Sequence, residues 1–366
     1  MIDNVVAPDQ AASFSLAIDA MGGDDAPEIV VAGLDLAADR HPGARFLLFG
    51  DEARLTPLLA RYKKAAQIAQ IAHTTEAITM EMRPTSALRL RDSSLRMAIA
   101  AVADGRARGV VSAGNSGALL ALAKILLKIL PGISRPAMAA VNPSARGDVV
   151  MLDLGANISC DARNLVEFAV MGEAFSQVVL GLPAPRIGLL NVGVEELKGD
   201  ERLRCAADAL RASPLSAQFL GFVEGHDITA GTADVVVTDG FTGNIALKTG
   251  EGALKLAAQL LQQIFKTNLL TKIGYILVRP GLRRMREWID PRQYNGAVFV
   301  GLNGIVVKSH GGADAEGFAS AIDVAMNAVD NEVNKKIRSR LKQIQFLQEA
   351  PDASKSGATN TVEHSK

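Results

Sequence analysis

Apolar residues along this chain fall in short, nearly unbroken runs, each followed by a turn of small residues and then by a stretch with helical apolar spacing. The clearest runs open the segments SLAIDAMGGDD, RFLLFGD, GVVSAGNSG, VVMLDLGAN, RIGLLNVGVEE, ADVVVTDGFTGN and GIVVKSHGG. A strand with one wet face alternates apolar and polar positions; these runs do not, which means that both faces are covered, as in a parallel sheet. The pattern predicts an α/β fold: a three-layer, Rossmann-like arrangement of βαβ units, with a mostly parallel sheet and helices on both faces. The units share physics and not spelling, so no sequence repeat relates them.

One segment departs from the alternation. Residues 252–289 read as two long amphipathic helices, a hairpin excursion, with Leu260, Leu261, Ile264, Phe265, Leu269, Leu270, Ile273, Ile276 and Leu277 near the junction. Lys266, Lys272, Arg279, Arg283, Arg284 and Arg286 border that apolar tip. Such a tip suits an interfacial membrane contact, where apolar burial and attraction to anionic lipid add. A hairpin packed into a dimer interface fits the same pattern, and the basic border also suits an acidic protein partner. The stretch GALLALAKILLKILPGI is interrupted by Lys124 and Lys128 and stopped by Pro131, so it predicts a buried helix and not a membrane span. Residues 1–13 and 346–366 lack apolar periodicity and are expected to be disordered tails around one α/β domain at 14–345.

Composition narrows the function classes. Of 366 residues 48% are hydrophobic, enough for a large core, and 39 basic side chains balance 39 acidic ones. With aromatics at 4%, neither a basic stripe nor a stacking platform for nucleic acid is expected. Cys160 and Cys205 belong to no metal-ligand spacing and read as reduced core thiols, which fits a cytoplasmic setting, and the N-terminus has no secretory pattern.

The chemistry should sit at the strand ends. Ligands of open α/β sheets bind outside the carboxyl ends of the strands, where glycine permits close backbone approach and helix N-termini favour anions. A phosphate fits the Gly, Asn, Ser and Asp found there, although any single turn of this kind is also explained by geometry and capping. There is no GxGxxG, no Walker A loop, no GxSxG elbow and no HExxH, so dinucleotide, nucleoside triphosphate, serine-hydrolase and zincin readings lose their usual warrant. Among five histidines, His41, His73 and His364 fall in surface-type segments, leaving His226 and His310 as site candidates with a structural role equally open.

At the level of whole strings, IDAMGGDDAP, SAGNSGAL, RPAMA, DLGAN, LLNVGVEELKGDE, ADVVVTDGFTGNIALKTGEG and VKSHGGADAEGFASAI, in this order, closely resemble the PlsX-type phosphate acyltransferases of bacterial phospholipid synthesis. The resemblance spans residues 15 to 345, and TDGFTGN preceded by NVGVEELKG is its most specific part. It implies transfer of a long-chain fatty acyl group from acyl carrier protein to inorganic phosphate, giving acyl phosphate for phosphatidic acid synthesis. Bound phosphate attacks the thioester directly, with neither cofactor nor metal. It further implies a cytoplasmic homodimer attached peripherally to the inner face of the membrane. In the hairpin, Leu261, Ile264, Phe265, Leu269, Leu270, Ile273, Arg283 and Arg284 are the expected membrane or partner contacts.

Carried over residue by residue, Lys198 matches the family's lysine and is expected to bind phosphate and neutralise developing charge. Asn244 matches its asparagine and is expected to donate to the carbonyl or phosphate oxygen, with a helix N-cap as the plainer alternative. Asn191, Gly193, Asp239, Gly240, Thr242, Gly243, Asn115, Ser116 and His310 are expected to line the phosphate or pantetheine end. Arg135 can add positive charge or simply form a salt bridge. Asp19, Gly22, Gly23 and Asp24 match the family's first strand-end motif and read as turn-shaping and capping, one wall of an anion-handling cleft. Two other readings remain: a phosphate acetyltransferase or dehydrogenase on a related scaffold, and a non-catalytic membrane scaffold.

Overall fold

The computed structural model describes residues 14–343, so both expected tails, 1–13 and 346–366, lie outside the described residues. Eleven strands form one sheet. They are β1 Leu16–Asp19, β2 Phe46–Gly50, β3 Ala69–His73, β4 Gly109–Ser112, β5 Ala137–Ser144, β6 Gly147–Leu152, β7 Ile187–Leu190, β8 Phe219–Val223, β9 Val235–Val237, β10 Ala297–Val300 and β11 Ile305–Lys308. The order across the sheet is β3-β2-β1-β4-β11-β10-β5-β6-β9-β7-β8.

Each of the seven apolar runs is a strand, and β1, β4, β7 and β9 are buried along their whole length, the consequence of cover on both faces. Four strands had no clear sequence signal. β3 (AQIAH) is a half-exposed edge, β8 (FLGFV) carries a glycine, and β10 (AVFV) is only four residues long. β5 (AMAAVNPS) contains three alanines and a proline, poor strand formers in isolation, and is held by its neighbours.

That unpredicted strand organises the molecule. β5 pairs antiparallel with β10 through Ala137, Met138 and Ala139, then antiparallel with β6 from Ala140 to Ser144. On one side β1, β2, β3, β4 and β11 run parallel; on the other β6, β7, β8 and β9 do. Passing through β10 and β5 reverses the sense, and the registers bring the carboxyl ends of the two halves, Lys308 of β11 and Leu152 of β6, to nearly the same level of the sheet, approached from opposite sides.

Helices cover both faces. Ala162–Val179 is the most deeply buried; its N-cap Asp161 forms a reciprocal capping box with Asn164. It carries Glu167 and Glu173 into the core, where burial is tolerable because each is paired. Glu167 accepts from Ser134 and Arg163, Glu173 from Arg340 and Gln218. Ser116–Leu126 is the helix expected in the GALLALAKIL stretch. Cys160 is buried as expected, but Cys205 faces solvent because it lies on the outer face of the amphipathic helix Glu201–Arg211.

The hairpin is longer than its apolar signature. Its helices are Gly240–Lys266 and Leu269–Trp288, so the first begins in the TDGFTGN turn itself. Ile264, Leu270, Ile273, Ile276 and Leu277 are exposed. Among the described residues no helix is long and apolar enough to cross a membrane.

Candidate active site

The carboxyl ends of β6, β7 and β9 form one group of turns. Asp153, the first residue after β6, is fully buried, and its carboxylate gathers the DLGAN turn around itself. Oδ1 accepts from the N–H groups of Met138, Gly155 and Ala156 at 2.9, 3.2 and 3.0 Å; Oδ2 accepts from Asn157 N at 2.6 Å and Asn157 Nδ2 at 2.9 Å. Burial pushes its pKa above the ordinary carboxylate range, against the pull of these donors.

Helix Gly240–Lys266 starts against that turn. Its N-cap is Asp239, whose Oδ1 accepts from Thr242 N at 2.8 Å, and Gly240 N donates to Asn157 O at 2.8 Å. A Cβ at Gly240 would lie 2.5 Å from Asn157 O, and one at Gly243 would overlap the Asp153 carbonyl oxygen. Both glycines are therefore required by close backbone approach. Asp239 and not Asn244 is the cap, which removes the plainer reading of Asn244. The Asn244 side chain is half-buried, faces Gly155, and has no hydrogen-bond partner among the described residues.

After β7 the chain loops through Lys198. Asn191 is buried; its Nδ2 donates to Lys198 O at 3.1 Å and its Oδ1 accepts from Val192 N at 2.9 Å, so one amide ties both ends of the loop. Gly199, at φ +82°, packs on that amide where any side chain would collide. Gly193 lies against the Lys198 stem. The Lys198 ammonium is exposed, with no partner among the described residues, although Glu195 and Glu196 share its loop.

Between these turns lies a cavity of about 250 Å³ whose lining includes Asn191, Gly199, Arg202, Thr238, Asp239 and Thr242. Arg202 donates to Asp200 at 2.8 and 2.5 Å and to Cys160 O at 2.8 Å, and lies 3.9 Å from Asp239. Burial works against ionisation of Asp200, yet Arg202 and the Leu203 N–H hold its carboxyl below the usual range. Burial, reinforced by Asp153 and Asp239, pushes the Cys160 thiol up to about 12. Arg135 reaches the same group of turns and donates to Ser159 O at 3.2 Å, with no ion pair among the described residues.

The carboxyl ends of β1, β4 and β11 carry the other predicted residues. Asp19, at the end of β1, is buried and accepts from Ser94 Oγ at 2.6 Å and Ser112 Oγ at 2.7 Å; burial raises its pKa. Lys308, at the end of β11, is also buried; it donates to Ala113 O and Ser309 O, and burial pulls its pKa down to about 8. A Cβ at Gly22 would lie 2.5 Å from Asp19 Oδ2, so the glycines of the first turn are there for space. Asn115 caps the helix Ser116–Leu126 through Ala118 N at 3.0 Å and donates to Met80 O and Met82 O. His310 is exposed, and its Nδ1 accepts from Gly312 N at 3.1 Å.

The structure thus brings together Asn191, Gly193, Lys198, Asp239, Gly240, Thr242, Gly243, Asn244 and Arg135. Asn115, Ser116 and His310 belong to the turns after β4 and β11, and no hydrogen bond or ion pair joins the two sets among the described residues. Sequence reasoning passed over Asp153 and Arg202. Asp153 opens DLGAN, a motif in hand; Arg202 follows the Lys198 loop by one helical turn and had no signal of its own. His41, expected at the surface, is half-buried against Asp323 at 2.6 Å, while His226 is exposed beside Glu224. Among the described residues no three His, Cys, Asp or Glu side chains are gathered as a metal site.

These strand-end turns on a two-way sheet define an α/β protein of the phosphotransacetylase type of fold. A phosphotransacetylase from Streptococcus pyogenes superimposes with a TM-score of 0.59, covering 87% of this chain and 94% of that one at 19% identity, a likeness of fold alone. The sequence model of the family described as fatty acid synthesis protein matches residues 14–336. A phosphate acyltransferase of Gluconobacter oxydans is 74% identical over 331 residues, covering 90% of each chain. One of Gluconacetobacter diazotrophicus is 71% identical over 337 residues, 92% of this chain and 90% of that one. The chain belongs to this family, the PlsX-type phosphate acyltransferases, and is a transferase.

Proposed function

We propose that this protein transfers a long-chain acyl group from acyl carrier protein to inorganic phosphate. A phosphate oxygen attacks the thioester carbonyl carbon, a C–O bond forms, the C–S bond breaks, and the departing thiolate takes up a proton from water. Phosphate is already a nucleophile, so the protein's task is to hold the anion in line and to stabilise the oxygen that gains charge. Lys198 supplies a compact positive charge for the phosphate, and Asn244 Nδ2 the donor to the carbonyl oxygen. Asp239 is an unfavourable neighbour for an anion; Arg202 at 3.9 Å offsets it. A thiol held protonated at Cys160 makes a poor acyl acceptor, which supports direct attack over an acyl-cysteine intermediate.

The observation that carries this reading is the pairing of two polar groups without a partner among the described residues, the Lys198 ammonium and the Asn244 amide, on adjacent strand-end turns that the Asp153, Asn157, Asn191 and Asp239 side chains hold in shape. On the same reading the enzyme works as a cytoplasmic homodimer. The stems of the hairpin pack between subunits, while its tip, with Leu261, Ile264, Phe265, Leu270, Ile273, Arg283 and Arg284, meets the membrane surface; the side chain of Leu269 lies outside the described residues. No cofactor is required.

The test mixes the protein with long-chain acyl carrier protein and phosphate, without nucleotide or added metal, and follows hydroxylamine-trappable acyl phosphate together with free carrier thiol. Both products should appear in a phosphate-dependent manner. Lys198→Ala and Asn244→Ala should each lower turnover by about 10²-fold or more. Absence of acyl phosphate from folded protein would overturn the proposal, and product from coenzyme A thioesters alone would move it to the short-chain phosphotransacetylase reading.

A further inference from the structure

Arginines in this molecule are mostly spoken for. Arg40, Arg186, Arg202, Arg292 and Arg340 each hold a carboxylate, and Arg204 and Arg338 each donate to another acceptor. The stretch RPTSALRLRDSSLR, residues 83–96, is different: it contains four arginines and a single acidic residue, Asp92. None of the guanidiniums of Arg83, Arg89, Arg91 and Arg96 has an ion-pair or hydrogen-bond partner among the described residues. Three of them, with Leu88, line an open groove of about 600 Å³.

The frame beneath them is fixed. Ser94 Oγ donates to buried Asp19 at 2.6 Å, Thr74 Oγ1 donates to Asp92 O at 2.5 Å, and Asp92 N donates to Glu76 at 3.2 Å. Asn115 holds the preceding segment through Met80 O and Met82 O at 2.8 and 2.9 Å. The charges are therefore presented from an ordered platform at the carboxyl edge of β1 and β4, at little cost in ordering on binding. Desolvated or not, unpaired arginines on a rigid surface raise the potential and attract a partner of opposite sign.

We propose that this groove is the docking surface for an acidic protein, the carrier protein of the transfer reaction; the assignment rests on the acyltransferase reading above. A membrane would need a broad apolar face beside the basic residues. Here the apolar component is confined to half-buried Leu88 and Leu90, too little for insertion but suited to a small anchor within a polar protein interface. The groove extends over three arginines, a footprint wider than one phosphate group. Guanidinium forks also match carboxylates bidentately, which favours acidic side chains as the occupant.

The variant Arg89→Glu/Arg91→Glu tests this, with Arg338→Glu/Lys342→Glu as a charge-matched control on another face. The KM for long-chain acyl carrier protein should rise about tenfold or more, more so at low salt than at high, while the KM for phosphate and turnover at saturating carrier stay as in the parent. The control should leave the carrier KM in place. If the charge reversal impairs folding by circular dichroism, Arg89→Ala/Arg91→Ala/Arg96→Ala should show the same split with a smaller rise. An unchanged carrier KM in a folded variant, or a rise produced by Arg283→Glu/Arg284→Glu in its place, overturns the docking assignment. Loss of binding to anionic vesicles with an unchanged carrier KM does so as well, and makes the groove a lipid site. A parent protein that makes no acyl phosphate would instead sink the acyltransferase reading; titration of carrier protein onto parent and variant would then still decide the groove.

Discussion

Lys198 and Asn244 are useful to chemistry because other residues relieve them of structural duty. Asp239 caps the helix that Asn244 would otherwise cap, and Asn191 folds the loop that carries Lys198. The sequence pointed to both residues through their motifs but could not assign the cap, since Asp239 and Asn244 are both good N-cap residues and differ only in where the helix begins. Cys160 and Cys205 separate in the same way. In native protein at pH 8, iodoacetamide should modify Cys205 within the time that a free thiol reacts and leave Cys160 untouched until unfolding, as mass spectrometry of the two peptides would show. Lys308 sets a pH dependence of stability. Below about pH 8 both the native and the unfolded chain carry its proton; between about 8 and the ordinary 10.5 only the unfolded chain does. The unfolded state then binds more protons, so this contribution to stability rises with pH across that window and is lost as pH falls through 8. Denaturant unfolding of the parent relative to Lys308→Met should show the difference growing by up to about 3 kcal/mol over the window. A flat difference would mean that Lys308 keeps its charge at an ordinary pKa in the folded protein.

Helix Gly240–Lys266 is the element in which local and tertiary demands meet most closely. Its first turn presses backbone to backbone on the DLGAN turn, and its far end carries the apolar tip of the hairpin. Gly243→Ala places a methyl group on the Asp153 carbonyl and should cost about 1–3 kcal/mol in stability, with activity falling more than stability because Asn244 is displaced. Gly250, in the same helix, has open space around its Cα; Gly250→Ala should be neutral or gain up to about 1 kcal/mol from helix propensity. Thermal unfolding and acyl phosphate assays on the pair separate the two effects, and equal behaviour would show that contact with the DLGAN turn is unimportant. Glycine in a helix is legible from sequence; which glycine is pinned and which is open is not, because the pinning partner lies about 90 residues earlier in the chain, at Asp153.

For the molecule as a whole, the exposed apolar tip makes the proposed membrane contact testable. Leu270 and Leu277 are 80% and 78% exposed, and each would contribute about 1.5–3 kcal/mol if buried in a lipid interface. Leu270→Glu/Leu277→Glu should therefore weaken sedimentation with anionic vesicles by about 10²-fold or more, leaving transfer in detergent-free solution intact; unchanged sedimentation would place the contact elsewhere. The seven strands with continuous apolar runs, their order along the chain and the long amphipathic hairpin were legible in local pattern, and the motif residues through the family resemblance. Periodicity and turn chemistry act over a few residues, and both can be read directly. What only the tertiary structure decided is the reversal at β5, a strand of alanines and a proline that exists because β10 and β6 pair with it. That reversal puts Asn115, Ser116 and His310 on strand ends of one half of the sheet and Lys198 and Asn244 on strand ends of the other. Strand direction across a sheet depends on pairing between segments more than 100 residues apart, as between β5 and β10, and such pairing leaves no periodic trace in either segment alone.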